Sequence, residues 1–404
     1  MIRLFVIAWR NIFRNTLRSA AILFSVWLGL LAGIFSGSLV KGMMDSRFDN
    51  FIEKEISHIQ IHHPLYVNRP EVGFYVTNYA EISQRLLSIE GVKALSARTH
   101  IQGMIASATY QGGIHISGVD PNQEQLTTGF ADQIIEGSFL EESHNALVIG
   151  KHLAEKMKVS LGSRVVVSFQ DPDNNLISAA FTITGLFKTY YKRFDESHAF
   201  VHKSYLNKQL GIDNAYHEIA IRAVSPDRVP TIVEQAQELA PDLLVRSWDE
   251  IAPELLFWVE MGSTFSFIFI TVILIGLAFG LLNTMLMAIF ERTRELGMLM
   301  AIGMNKKKVF ALIVLETTIL SISGALLGVL SAGILIQYLQ NKGVNLSAFS
   351  DVMHEIGFET IIYPQWDITL LISLPFLVVF TSLIAAIYPA IKALKLSPAE
   401  AVRK

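Results

Sequence analysis

The sequence predicts an α-helical membrane protein with four transmembrane helices and a large extracytoplasmic α+β domain between spans one and two. Of its 404 residues, 51% are hydrophobic and only 17% are charged, against about 25% charged in a typical soluble domain. Four apolar windows are each long enough to cross the hydrocarbon core of a bilayer, which takes about 20 residues. Residues 45–260 hold 28 acidic and 18 basic residues, whereas the rest of the chain is basic. This division of charge indicates two compartments.

The apolar windows divide the chain into spans and the segments between them. We predict an interfacial amphipathic helix at 1–19, transmembrane helices at 20–41, 263–290, 309–339 and 368–391, an extracytoplasmic domain at 42–262, a cytoplasmic coupling helix at 291–308, an extracytoplasmic loop at 340–367 and a cytoplasmic tail at 392–404. The first window is interpreted as a span and not as a signal peptide, because its apolar stretch is too long and no small-x-small cleavage site follows it. In residues 1–19, Phe5, Trp9 and Phe13 lie on one side of a helix, as in segments that rest in the membrane interface.

Lysine and arginine cluster on one side of every predicted span, which orients the chain by the positive-inside rule. Four arginines and no acidic residue precede the first span, and residues 291–308 hold five basic and two acidic residues. Residues 340–367 instead hold one lysine against four acidic residues. We therefore expect both termini and residues 291–308 in the cytoplasm, and residues 42–262 and 340–367 outside.

The segment outside, residues 42–262, combines alternating strand patterns with shorter helical ones. Strand-like runs include "ISHIQIHH", "GIHISGV", "SRVVVSF" and "HEIAIRAV", and "QDPDNNL" is typical of a hairpin turn. Strand–helix–strand elements at 56–118 and 216–248 flank a strand-rich middle, which predicts one discontinuous subdomain with a second inserted into it. His58, His62 and His63 could suggest a metal, but we interpret them as surface residues.

No catalytic motif is found in the sequence. It lacks cysteine, a zinc-protease helix and the G-x-x-x-x-G-K-[ST] phosphate loop. No catalytic residue, metal ligand, cofactor or nucleic-acid partner is therefore predicted for this chain. Any work driven by a nucleotide must come from another polypeptide.

Small and polar residues within the spans point to close helix packing. Glycines recur every four residues, a spacing that lets helix backbones approach closely; they are Gly29, Gly33, Gly276, Gly280, Gly324 and Gly328. The spacing favours a packed bundle and allows dimerisation. Asn283 and Glu316 are polar residues inside spans. A carboxylate there is costly, so Glu316 either pairs with a basic residue or handles a proton or substrate.

The segment between spans two and three carries charge and an apolar face together. Leu296, Leu299 and Met300 have the i, i+3, i+4 spacing of one helical face, which predicts an apolar surface for a partner. The charged residues around it would set the register of such a contact; they are Glu291, Arg292, Arg294 and Glu295.

Residues 281–328 resemble the signature region of FtsX-type ABC transporter permeases, the MacB, LolC and LolE group. The matching features are Asn283, the "ERTRELG" run, the "AIG" turn that ends at Gly303, Glu316 and the glycine pair of span three. The ending "LSPAEAVR" is similar to the family's C-terminal motif. Outside, "EISHIQIHHP", "GVDPNQE" and "VIGKHLAEKMKVSLGSRVVV" resemble the lipoprotein-releasing subunits.

The resemblance implies a non-catalytic permease subunit of the bacterial inner membrane. Two ABC ATPase subunits would bind ATP and Mg, a second permease copy or a paralogue would complete a dimer, and residues 291–308 would be the coupling helix seated in the ATPase. The implied activity is extraction of lipoproteins, or another lipid-anchored substrate, from the phospholipid membrane, with a periplasmic carrier as a further partner. The hairpin "FQDPDNNLISAAFT" has no arginine, unlike the carrier-binding hairpin of LolC, so the chain looks closer to LolE or to a homodimeric relative.

Two alternatives stay open within the resemblance. One is a MacB-like permease for efflux or peptide export. The other is an FtsX-like regulator of a periplasmic cell-wall hydrolase, which transports nothing. Neither the substrate nor the choice between homodimer and heterodimer follows from the sequence.

Overall fold

The computed structural model describes residues 2–14, 16–140, 145–212 and 214–394, which form two compact units. The helical unit comprises Met1–Met44, Val259–Asn345 and Ile361–Lys404. The mixed unit comprises Asp45–Trp258 and Leu346–Thr360, so it takes in part of the 340–367 loop as well as the large insertion. Residues 395–404, which include the "LSPAEAVR" motif, lie outside the described residues.

Helices are found in both units, and four of them are long. In chain order they are α1 (Ile2–Arg14), α2 (Thr16–Asn50), α3 (Tyr79–Leu87), α4 (Pro121–Thr127), α5 (Lys151–Met157), α6 (Lys192–Ser197), α7 (Lys203–Leu210), α8 (Val229–Leu239), α9 (Trp248–Ile251), α10 (Pro253–Glu291), α11 (Thr293–Ala301), α12 (Lys306–Lys342), α13 (Ser350–Ile356) and α14 (Ile368–Leu394). A π-helical turn, Phe51–Ile56, follows α2.

Four helices, α2, α10, α12 and α14, are long and apolar enough to cross a membrane. They contain the four windows identified in the sequence. Two of them continue well beyond those windows, since α2 runs for 35 residues and α10 for 39, whereas a span takes about 20. Hydropathy detects the apolar part of a helix and not its polar continuation, so the window underestimates the element.

The core of the helical unit is formed by apolar residues of these four helices and α11. A Cβ added at Gly324 would lie 2.9 Å from Val26, and one at Gly328 would lie 2.7 Å from Leu30, so α12 and α2 approach closely at both glycines. Gly29 and Gly33 likewise face leucines of α10 and α14. Gly276 and Gly280 differ, because no atom of the described chain lies within 4 Å of the position a Cβ would take. Close packing at these two α10 glycines is therefore not seen within the described chain.

The mixed unit is built on a ten-stranded sheet. Its strands are β1 (Ile59–His62), β2 (Val92–Ala106), β3 (Gln111–Val119), β4 (Ile134–Gly137), β5 (Ala146–Gly150), β6 (Arg164–Gln170), β7 (Leu176–Phe187), β8 (His198–His202), β9 (Glu218–Ala223) and β10 (Leu244–Ser247); β11 (Val344–Asn345) and β12 (Ile361–Ile362) form a small ladder of their own. The strand order is β10-β1-β9-β2-β3-β8-β5-β7-β4, with β6 paired to β2 and β7. The long strand β2 pairs with β9 along its first half and with β3 and β6 along its second half.

Two main cores lie on this sheet. One joins β1, β9 and β10 to α3 and α8, so it is assembled from both ends of the insertion. The other joins β3, β5, β6, β7 and β8 to α5 and α7, from the middle of the insertion. Since β2 belongs to both cores, it links them through a continuous backbone.

Two of the three histidines predicted to lie on the surface are buried. His58 is 4% exposed and His62 is 6% exposed, so the interpretation of both as surface residues was wrong. His62 is held by the carbonyl of His217, 2.9 Å from its Nδ1, and by the amide oxygen of Gln60. The alternation in "SHIQIHH" did not reveal this, because β1 is covered by packed elements on both faces.

Candidate functional site

The segment between α10 and α12 is a short helix between two sharp breaks. α11 spans Thr293–Ala301, so the helix is shorter than the 291–308 segment expected from sequence. The turn that follows the helix contains Gly303, whose φ of +101° is a conformation that favours glycine. The side chain of Asn305 then accepts a hydrogen bond from the N–H of Lys307 at 3.2 Å and caps the start of α12. The "AIG" turn and the asparagine together fix where α11 stops and α12 starts.

The apolar side of α11 faces the helical core. Leu296 is 3% exposed and belongs to that core, against which Met300 also packs, and Leu299 is half-buried. Leu296 is therefore part of the helical core, whereas the prediction that Leu299 and Met300 contact a partner stays a prediction. A nine-residue helix connected by tight turns cannot stand away from the bundle, so its amphipathic stripe is used for internal packing.

A different face of α11 is exposed. It carries Arg294, Met298 and, just past the helix, Ile302, which have four-residue spacing. The exposed fraction is 46% for Met298 and 86% for Ile302. We call these three residues the outward face. Glu291 is exposed at the end of α10.

The buried side of the same segment takes part in an ion network of five residues. Glu316 of α12 accepts from Arg18 of α2 at 2.6 Å and from Arg292, which precedes α11, at 3.0 Å. Arg292 also contacts Glu295 at 3.1 Å, and Glu295 pairs with Arg14 of α1. The network therefore joins α1, α2, α11 and α12.

The two ends of the ion network differ in burial. The side chains of Arg18, Arg292 and Glu316 are 12%, 11% and 8% exposed, whereas those of Arg14 and Glu295 are 55% and 40% exposed. An exposed pair contributes at most about 1 kcal/mol. Removing one partner of a buried group costs about 3–5 kcal/mol, because the other charge stays buried without compensation. The buried end, which joins α2, α12 and the residue before α11, therefore contributes more to stability than the exposed contact to α1.

Pairing is thus the alternative that the structure supports for Glu316. Asn283, the other polar residue singled out in the spans, is exposed on α10 and lies outside the ion network. Sequence reasoning missed Arg14 and Arg18 as partners of Glu295 and Glu316. A signal was present, since Arg10, Arg14 and Arg18 recur at the four-residue spacing of one helix face, and a carboxylate in an apolar helix needs a cation.

Comparison with models of known protein families shows the family of this chain. The model of the MacB-like periplasmic core domain matches residues 19–239, more than half of the chain, and the model of the FtsX-like permease C-terminal matches residues 267–398. The chain belongs to the ABC transporter permeases of the FtsX and MacB type.

Individual relatives extend over nearly all of the chain. The lipoprotein-releasing system transmembrane protein LolC of Neisseria meningitidis serogroup B is 24% identical, over 93% of this chain and 92% of its own length. The uncharacterized ABC transporter permease YvrN of Bacillus subtilis is 23% identical, over 98% of each chain. The solved periplasmic region of MacB from Actinobacillus actinomycetemcomitans is 12% identical, over 54% of this chain and 95% of that chain, with a TM-score of 0.36. With the four apolar helices, the likeness to LolC indicates a bacterial inner membrane protein.

Proposed function

We propose that this chain is the permease subunit that couples ATP hydrolysis by a separate ATPase to extraction of lipoproteins from the inner membrane. The observation that carries the coupling part is the ion network, which ties α11 to α1, α2 and α12. The cargo assignment rests on the likeness to LolC over more than nine tenths of both chains.

In this proposal α11 is the coupling helix and its outward face meets the ATPase. Met298 and Ile302 supply an apolar contact, and Arg294 supplies charge that selects the partner. Two ATPase subunits bind ATP and Mg, and this chain contributes no catalytic residue. Residues 291–308 and both termini face the cytoplasm, as the distribution of lysine and arginine requires.

Motion of the ATPases would reach the mixed unit through the long helices. Because Arg18 and Arg292 both hold Glu316, a displacement of α11 moves α2 and α12 with it. α2 and α10 both continue beyond the length of a span, so each is a stiff rod that leads out of the membrane. The permease would thus transmit force to its periplasmic domain, with no need for a water-filled channel.

A second copy of the chain, or a paralogue, would complete the transporter. Gly276 and Gly280 leave an open strip on α10, and four-residue glycine spacing lets two membrane helices approach closely. This strip is the helix surface that we assign to the second permease subunit.

Complementation tests the function in cells. After depletion of the protein, mature lipoproteins should accumulate in the inner membrane, and wild-type protein should restore their release. Arg294→Glu should fail to restore it, because charge reversal on the outward face repels the ATPase, whereas Lys342→Glu at the opposite end of α12 should restore it. A normal lipoprotein distribution after depletion would contradict the lipoprotein assignment.

Efflux or peptide export is a second candidate function. Macrolide export ATP-binding/permease proteins MacB of Chlorobium luteolum and Bdellovibrio bacteriovorus are 28% and 32% identical over 31% of this chain, although this covers only 16% of their own length. A depleted strain with normal lipoproteins and raised sensitivity to macrolides would favour this function. Capture of a cell-wall hydrolase by the periplasmic domain would instead favour an FtsX-like regulator.

A further inference from the structure

The mixed unit contains a cavity that the proposed transport mechanism does not use. Its volume is about 570 Å³, within the range of pockets that hold small molecules. One wall is the sheet, where strands β2, β3, β8 and β9 turn polar side chains to the same side. The opposite wall is formed by the π-helical turn Phe51–Ile56, the segment around Tyr66 and the region of α6.

Polar residues cross the sheet wall in two rows that follow the strand register. In one row Glu218 of β9 is the register partner of Arg98 of β2. In the other, His115 of β3 is the partner of Gln102 of β2 on one side and of His198 of β8 on the other. Residues two apart on a strand share a face, so both rows line the same surface.

The acidic groups at the base of the cavity are buried and hydrogen-bonded. Arg98 donates to Glu124 at 2.7 Å and to Glu218 at 2.8 Å, and all three side chains are at most 7% exposed. His100 adds a contact to Glu218 at 3.1 Å. Arg98 can cancel the charge of one of the two carboxylates only. The base of the cavity therefore disfavours an anion, and the anionic group of a ligand would lie at the opposite wall.

Two cationic side chains that line the cavity, Lys54 and Arg193, lack a carboxylate partner among the described side chains. Lys54 lies over the ring of Tyr190 at 5.0 Å, and neither Lys54 nor Arg193 forms an ion pair with a carboxylate among the side chains that the structure describes. Aromatic residues also line the cavity, notably Tyr66, Tyr191 and Phe194. Cationic groups next to ring faces suit a ligand that joins an anionic group to an apolar one.

The histidines of the second row complete the polar wall. His115 and His198 stack with ring centroids 5.1 Å apart. Burial lowers the pKa of both, that of His198 to about 4, so both are neutral near pH 7 and can donate or accept a hydrogen bond. A metal ion is disfavoured, since no three metal-ligating side chains in the described part of the chain are placed to hold one.

We propose that this cavity binds a small organic anion, a carboxylate or phosphate attached to an apolar or aromatic group. Lys54 and Arg193 contact the anionic group, the rings enclose the apolar part, and His115 with His198 hydrogen-bonds the remaining polar atoms. The test of this site measures ligand binding alone, so the proposal stands or falls separately from lipoprotein release.

Binding of 1-naphthoate to the full-length protein in phosphatidylcholine nanodiscs tests this site. Titration calorimetry should show saturable binding above the background of empty nanodiscs, and the neutral isostere 1-naphthamide should bind at least about tenfold more weakly. Lys54→Gln and Arg193→Gln should each lower the affinity about tenfold, the usual effect of losing one charge-assisted hydrogen bond. Lys208→Gln, at an exposed lysine of α7 away from the cavity, is the matched control and should bind like wild type.

Gln102→Trp gives a second measurement that does not alter charge. Gln102 is exposed at the edge of the cavity, so an indole there should exclude the ligand without disturbing a buried group. Unchanged melting temperatures would show that each variant is folded. Equal binding of naphthoate and naphthamide, or an equal loss in Lys208→Gln, would overturn the proposal. Stoichiometric binding of Zn²⁺ alone, abolished by His115→Phe, without binding of naphthoate would also overturn it.

Discussion

At the scale of single residues, Glu316 of α12 joins its helix to α2 and to the residue that precedes α11. A carboxylate in an apolar helix is unfavourable alone, and here two guanidinium groups, those of Arg18 and Arg292, compensate it. The same contacts hold the segment before α11 against α2 and α12. Ion pairing thus explains why a carboxylate is present at Glu316, and no role in proton transfer is needed to explain it.

Glu316→Gln should destabilise the protein by about 3 kcal/mol, because buried Arg18 would lose the carboxylate that pairs with it and Arg292 would keep only Glu295. The loss should appear as a lower unfolding temperature of the purified protein in nanodiscs. Arg14→Gln, at the exposed end of the same ion network, should change stability by less than about 1 kcal/mol. Equal losses of stability in the two variants would contradict the prediction that the buried end of the ion network contributes more than the exposed end.

At the scale of elements, α11 shows how a short helix can bury one face in a core and expose another. Its apolar stripe packs inward at Leu296, and its outward face presents Met298 between a charged residue and the turn at Gly303. The sequence pattern correctly indicates an amphipathic helix, but periodicity alone does not say which surface the apolar side meets. In this structure Leu296 contacts the apolar core of the helical unit.

Met298→Asp and Ile302→Asp should each reduce co-purification of the ATPase several-fold, because a carboxylate would replace an apolar contact on the outward face. Leu296→Asp is a different case, since it places a charge in the helical core and should lower protein stability. Ala348→Asp, at an exposed residue outside α11 and outside the predicted spans, controls for the added charge. Full ATPase recovery with both outward-face variants would remove the coupling assignment from α11.

At the scale of the whole molecule, the chain combines a basic helical unit with an acidic mixed unit whose buried charges respond to pH. Burial lowers the pKa of His217 to about 4. Burial alone would raise the pKa of Glu218, but Arg98 and His100 outweigh it and hold that pKa at about 2. Both shifts mean that the unfolded chain binds more protons in acid, so acid favours unfolding. Asp195 acts in the opposite direction, because burial raises its pKa to about 6, and its contribution to stability grows as the pH falls from 6 towards 4.

The mixed unit should lose about 2 kcal/mol of stability between pH 7 and pH 5 through His217, whose pKa is near 6.5 in an unfolded chain. Hydrogen exchange of β9 amides in the full-length protein, corrected for the intrinsic pH dependence of exchange, measures this change. His217→Asn keeps an acceptor for the N–H of His100, which now donates to Nδ1 at 3.0 Å, and should reduce the loss by about 2 kcal/mol relative to wild type. His198, whose pKa burial also lowers to about 4, leaves a remaining pH dependence in this variant. His63→Asn, outside the buried cluster, should behave like wild type; an unchanged loss in His217→Asn would contradict the assignment.

Prediction from sequence succeeded where the signal is local. The apolar windows of α2, α10, α12 and α14 were found by hydropathy, and β1, β3, β6 and β9 by alternation, since each pattern repeats within its own element. Strands β5 and β8 were missed because they are short and buried on both faces, which removes the alternation. The hairpin turn at 171–175 was recognised from its turn residues, and Asp171 accepts hydrogen bonds there from the N–H groups of Asp173 and Asn175.

By itself, the sequence determined the four apolar helices, the acidic insertion, the position of the turn at Gly303 and the family of the chain. Each depends on residues that are neighbours along the chain. Only the tertiary structure decided that Arg18, Arg292 and Glu316 meet, that α11 turns Leu296 inward, and that the polar rows of four strands line one cavity. The physical reason is that ion pairs, burial and cavity walls depend on distances between residues remote in sequence, and these distances are set when the elements pack.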